Sequence, residues 1–117
     1  MAATSTKRNQ SSHRQHTLAK SVTCTGVGLH SGVPVNLTLH PADVDAGISF
    51  LRSDIAVEKA RVPARYDLVT DTQLGTTIVN EYGTPVSTVE HLMAALWGCG
   101  VDNVTIELDG PEVPIMD

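Results

Sequence analysis

Two cysteines, four aromatic side chains and no acid before residue 43 are what this sequence has least of, and each scarcity removes a class of protein. Cys24 and Cys99 stand 75 residues apart, so they make neither a C-x-x-C metal knuckle nor a disulfide framework. A reducing compartment, the cytoplasm, is the expectation that follows. Phe50, Tyr66, Tyr82 and Trp97 are the aromatics, and around them 14 Val, 10 Leu and 5 Ile are expected to build the core. That aliphatic content excludes a disordered chain. The longest uninterrupted apolar run, Leu92 to Trp97, has six residues, whereas a helix needs about 20 to cross a bilayer. No transmembrane segment is expected.

The charge is split unevenly. Residues 1–42 carry Lys7, Arg8, Arg14 and Lys20 without an acid, a net +4, while residues 43–117 carry four bases against thirteen acids, a net −9. An acidic body lacks the basic stripe of a nucleic-acid surface, so no nucleic-acid partner is expected. The opening MAATSTKRNQSSHRQ is almost wholly polar and has no apolar stretch of the kind a secretory signal needs. Residues 1–14 are expected to be a disordered polar, basic tail, and residues 15–117 one folded domain, as their number suits.

From Gln15 onward, short β-branched segments alternate with turn residues. The sequence predicts strands over His16 to Thr25, Val33 to His40, Gly47 to Arg52, Arg61 to Ala64, Thr76 to Glu81 and Val101 to Leu108. In Val33 to His40 and Val101 to Leu108 the apolar residues recur with period two, which buries one face. Pro41 and Pro63 mark strand ends, because proline cannot donate to a ladder. One helix is predicted over Thr88 to Gly98. Ser87 and Glu90 have the spacing of a capping box, Val89, Leu92, Met93 and Leu96 recur at helical spacing, and Gly98 and Gly100 supply the stop. Strands before and after a single amphipathic helix point to an α+β fold, a two-layer sheet-and-helix sandwich. Residues after Leu108 read as a loop with no element following, as though the sequence were cut there.

Three segments could carry chemistry. Gly26-Val27-Gly28-Leu29-His30-Ser31-Gly32 is glycine-rich, but it leads into a strand and not a helix, so it is no dinucleotide fingerprint. A strand-to-strand loop needing positive φ explains it equally well. Glu90-His91 at the helix start pairs a carboxylate that could act as a general base with an imidazole that could bind zinc. Against that reading, the capping box accounts for Glu90 by itself and His91 could be an ordinary helix-end residue. Asp71-Thr72-Gln73-Leu74-Gly75-Thr76-Thr77 is a polar loop feeding a strand, and turn chemistry suffices for it.

In order, TGVGLHSG (25–32), DTQLGT (71–76), STVEHLMAAL (87–96), DNV (102–104) and PEVPIMD (111–117) resemble the first half of UDP-3-O-acyl-N-acetylglucosamine deacetylase, the zinc enzyme at the committed step of lipid A synthesis. The resemblance runs from about Gln15 to Asp117. It implies a fold of two similar domains with zinc held between them, of which this chain holds the first. It also implies that Glu90 is the general base and His91 one of three zinc ligands. His30, Leu29, Leu74, Gly75 and Thr76 would line the substrate cleft. The remaining ligands, a His and an Asp, belong to the family's second domain, with the proposed general acid, the Thr and Lys that bind substrate, and much of the acyl-chain channel. The implied partners are the UDP-sugar substrate and that second domain, in a protein monomeric at full length. One imidazole cannot hold a catalytic zinc, which takes three protein ligands, so these 117 residues alone are expected to be inactive. The alternative is a non-catalytic α+β module that needs a complementary partner chain.

Overall fold

The computed structural model describes residues 4–10, 13–72 and 75–116. Its strands are β1 (Thr4–Gln10), β2 (His13–Leu18), β3 (Val22–Gly28), β4 (Pro34–Pro41), β5 (Ile48–Arg52), β6 (Arg61–Pro63), β7 (Val69–Thr72), β8 (Gly75–Val79), β9 (Pro85–Ser87), β10 (Val104–Leu108) and β11 (Pro114–Met116). A helix, α1 (Glu90–Gly98), lies between β9 and β10. The main sheet has the order β11-β3-β4-β10-β5-β6, with β10 and β5 parallel and the other pairs antiparallel. A three-stranded sheet, β7-β8-β9, and α1 contribute to the same core. This is the expected α+β architecture.

The period-two pattern does what it predicts from Val35 onward, whereas Val33 lies before β4 and is exposed. Val35, Leu37 and Leu39 on β4 and Val104, Ile106 and Leu108 on β10 are buried, while their neighbours Asn36 and Thr105 are more exposed. In register, Leu39 faces Ile106, Ile106 faces Phe50, and Phe50 faces Val62, a continuous apolar row across four strands. From the other side Ile78, Val86, Val89, Met93 and Leu96 close the core. Val89, Met93 and Leu96 stand at i, i+4 and i+7, the buried stripe of an amphipathic helix. The helix ends as a Schellman turn: the Val101 amide donates to the Leu96 carbonyl and the Gly100 amide to the Trp97 carbonyl, with Gly100 at φ +74°. Glycine meets that left-handed requirement without strain.

Several expectations are corrected. The strand predicted over His16 to Thr25 is two strands, β2 and β3, that pair with different partners. Thr17 pins the end of β2, donating to the Asn103 carbonyl and accepting from the Ala42 amide. The stretch read as a disordered tail includes β1 and the start of β2, an antiparallel hairpin whose backbone ladder needs no apolar side chains. The residues after Leu108, read as a loop, contain β11, which pairs with Gly26 to Gly28 of β3. The loop read over Asp71 to Thr77 is largely the β7-β8 pair, with Gln73 and Leu74 outside the described residues. Of the aromatics, Phe50 alone sits in the described core; Tyr82 and Trp97 are more than half exposed, and the side chain of Tyr66 is not described.

Candidate active site

The capping box does not form. Ser87 belongs to β9, where its amide donates to the Pro111 carbonyl at 2.8 Å and its carbonyl accepts from Val113 at 3.0 Å. Its buried hydroxyl accepts from Thr77 Oγ1 at 3.1 Å. Pairing with residues 111–113 thus takes the serine out of reach of the helix end. Glu90 becomes the first helical residue, and α1 has no side-chain cap. The lead-in is held by backbone groups instead: the amides of Thr88 and Val89 both donate to the Thr76 carbonyl. Thr88 takes φ +62°, a left-handed conformation disfavoured for a β-branched residue and held only where the surroundings determine it.

This geometry leaves the carboxylate of Glu90 uncommitted to a cap. One oxygen accepts a long bond from the Thr76 amide at 3.4 Å, and a Cβ on Gly75 would stand 3.2 Å from that same oxygen, a tight approach that the glycine avoids. Glu90 and His91 are both exposed. Because successive helical residues diverge by about 100°, they face different grooves. Glu90 lines one of about 270 Å³ with Arg65, Val69, Thr76, Met93 and Trp97. His91 lines another of about 470 Å³ with Leu29, Leu92, Ala95, Val113 and Ile115.

The residues singled out from the sequence are therefore gathered in two sets. Thr76 and Gly75 lie beside Glu90, and Leu29 lies beside His91, while Leu74 is outside the described residues. His30 enters through its backbone. Its amide donates to Glu112 Oε2 at 3.0 Å, and the next amide, Ser31, donates to Oε1 at 3.2 Å. The glycine-rich segment is also reassigned: Gly26 and Gly28 belong to β3, and Gly32 alone of its glycines has positive φ.

Glu112 was not among the candidates. It is buried, with 3% of its surface exposed, and besides the two amides it accepts from Thr88 Oγ1 at 3.1 Å. Burial pushes its carboxyl up, but the amides of His30 and Ser31, followed by the hydroxyls of Thr88 and Ser31, outweigh that and hold it below its ordinary value. The only sequence signal was its place inside the PEVPIMD block.

Fold and site together define the class: an α+β domain presenting an exposed Glu-His pair at the head of an amphipathic helix, between two grooves. Comparison with known proteins supplies the family. A family model for UDP-3-O-acyl N-acetylglycosamine deacetylase matches residues 15–117. Curated relatives named UDP-3-O-acyl-N-acetylglucosamine deacetylase include that of Anaeromyxobacter sp. (strain Fw109-5), 58% identical over 88% of this chain and 33% of its own length. That of Myxococcus xanthus (strain DK1622) is 55% identical over 92% and 33%. That of Neisseria meningitidis (strain FAM18) is 53% identical over 88% and 34%. The chain belongs to the UDP-3-O-acyl-N-acetylglucosamine deacetylase family, and it spans about a third of the length of these relatives.

Proposed function

We propose that this chain is the N-terminal part of a zinc-dependent amide hydrolase that removes acetate from UDP-3-O-(3-hydroxyacyl)-N-acetylglucosamine, the committed step of lipid A synthesis, in the cytoplasm. The observation that carries the reading is the exposed Glu90-His91 pair at the helix head, with the carboxylate left out of any cap. The names of the relatives support the substrate and reaction. In this reading Glu90 takes a proton from the attacking water as its oxygen adds to the acetamide carbonyl. The C–N bond then breaks as the nitrogen takes up a proton from a general acid that would lie outside this chain, giving acetate and the free amine.

His91 would be one of three ligands to zinc. Among the described residues no group of three His, Cys, Asp or Glu gathers to hold a metal, and catalytic zinc takes three protein ligands. These residues therefore do not make up a zinc site by themselves, and the chain alone is inactive in this reading. The other ligands and the rest of the cleft would come from the two-thirds of the relatives that this chain does not span. That segment would also cover the groove edged by Leu29 and Ile115, which are 59% and 53% exposed.

The same exposed groove is what favours the second reading, a non-catalytic module completed by a partner chain. The Glu90→Gln variant of the full-length protein separates the two. Loss of a general base lowers kcat by about two to four orders of magnitude with folding unchanged. Wild-type turnover in that variant would refute the role of Glu90. Turnover by the purified 117-residue chain with added zinc would overturn its inactivity.

A further inference from the structure

Glu112 lies at a junction of three segments distant in sequence. Its backbone forms a parallel bridge with Ser87, directly before the helix lead-in, and the flanking bonds from Ser87 to Pro111 and from Val113 to Ser87 fix its strand there. Its side chain crosses to the turn after β3. One oxygen accepts from the Ser31 amide, and the other accepts from both the His30 amide and the Thr88 hydroxyl. The space it crosses exists because residue 28 is glycine: a Cβ there would run into Glu112 Oε1 and Ser31 Oγ. Thr88, in turn, holds its left-handed backbone two residues ahead of Glu90.

We propose that Glu112 is a positioning residue: its carboxylate locks the turn carrying Leu29 and His30 to the lead-in of the helix carrying Glu90 and His91. The inference rests on the deacetylase reading, in which that turn lines the substrate cleft. Two amide donors and the hydroxyls of Thr88 and Ser31 converge on one carboxylate, an acceptor set that no neutral side chain of that size reproduces. Glutamine has the same shape but turns an N–H₂ donor toward at least one of these donors.

The test uses the full-length protein. In E112Q, hydrogen exchange of the His30 and Ser31 amides quickens, and KM rises about ten-fold or more while kcat changes less, because the released turn lines the cleft and does not carry the base. Zinc content stays at the wild-type level. Asn103→Ala, at an equally buried side chain that touches none of these residues, controls for general destabilisation and leaves KM unchanged. Should E112Q fail to fold, Thr88→Ala removes one of the hydroxyl donors and raises KM, and Thr88→Ser restores it. Wild-type exchange and wild-type KM in E112Q overturn the lock. Faster exchange with unchanged KM overturns the positioning role. An inactive wild-type protein instead overturns the deacetylase reading, and exchange still reports whether the lock exists.

Discussion

A Cβ placed on Gly75 would stand 3.2 Å from the Glu90 carboxylate, across a β-strand edge and 15 residues away in sequence. Gly75 also has φ +89°. The same residue thus opens β8 in a conformation that suits glycine and leaves the space that the carboxylate occupies. The partner of Glu90 is the start of β8, in place of the serine three residues before it.

Gly75→Ala should therefore be destabilising by about 1–2 kcal/mol, the cost of a left-handed backbone for a residue with a Cβ. Glu90 is exposed and flexible enough to move aside by a few tenths of an ångström. Urea unfolding checks the cost, and a full-length variant assayed well below its melting temperature should show a lowered kcat because the carboxylate has moved. No change in either quantity would mean that Gly75 is incidental to the site.

Glu90→Gln and His91→Ala should each alter unfolding free energy by no more than about 0.5 kcal/mol, the usual range for exposed positions without special contacts. Neither side chain caps α1. In the full-length protein His91→Ala should nevertheless bind less zinc, measured by metal analysis after dialysis. A large stability loss in Glu90→Gln would revive a structural role for that carboxylate.

Asn80 offers a stability prediction away from the site. Its buried amide donates to the carbonyls of Lys59 and Arg61, and its oxygen accepts from the amides of Tyr82 and Thr84, tying the turn after β8 to β6. Asn80→Ala strands several of these groups and should cost about 2–4 kcal/mol, since each buried unsatisfied group costs about 1–3 kcal/mol and the losses are not additive. The measurement is the urea midpoint at constant slope.

The carboxyl of Glu112 gives a pH signature with a definite sign. Its value in the fold lies below that in the unfolded chain, so the fold favours the ionised form. That contribution is complete above the unfolded carboxylate value, about 4.3, and is lost as pH falls through the lower folded value. The stability gap between wild type and Glu112→Gln should stay constant from neutral pH down to about pH 5 and narrow below about pH 4. A gap independent of pH would show that the carboxylate's charge contributes nothing.

The strands β4 and β10 were legible because alternation reports burial directly: each apolar residue on one face must meet the core, and Leu39, Ile106, Phe50 and Val62 do so in register. The break between β2 and β3 was not, since Ala19-Lys20-Ser21 holds neither glycine nor proline and the constraint comes from Thr17 binding to Asn103. The capping box failed for a related reason. Its local pattern is correct, but Ser87 gains a ladder with residues 111–113 that the motif cannot register. Trp97, expected in the core, instead edges the Glu90 groove one helical position beyond the buried stripe.

By itself the sequence determined the α+β class, the buried faces of β4 and β10, the helix and its glycine stop, and the Glu90-His91 pair, because these depend on periodicities and motifs a few residues long. Tertiary structure decided which groove each member of that pair faces, what replaces the cap, and that Glu112 holds the His30 turn. Those outcomes depend on contacts between residues 14 to 82 positions apart, and only the closing of the sheets brings such residues within hydrogen-bonding distance.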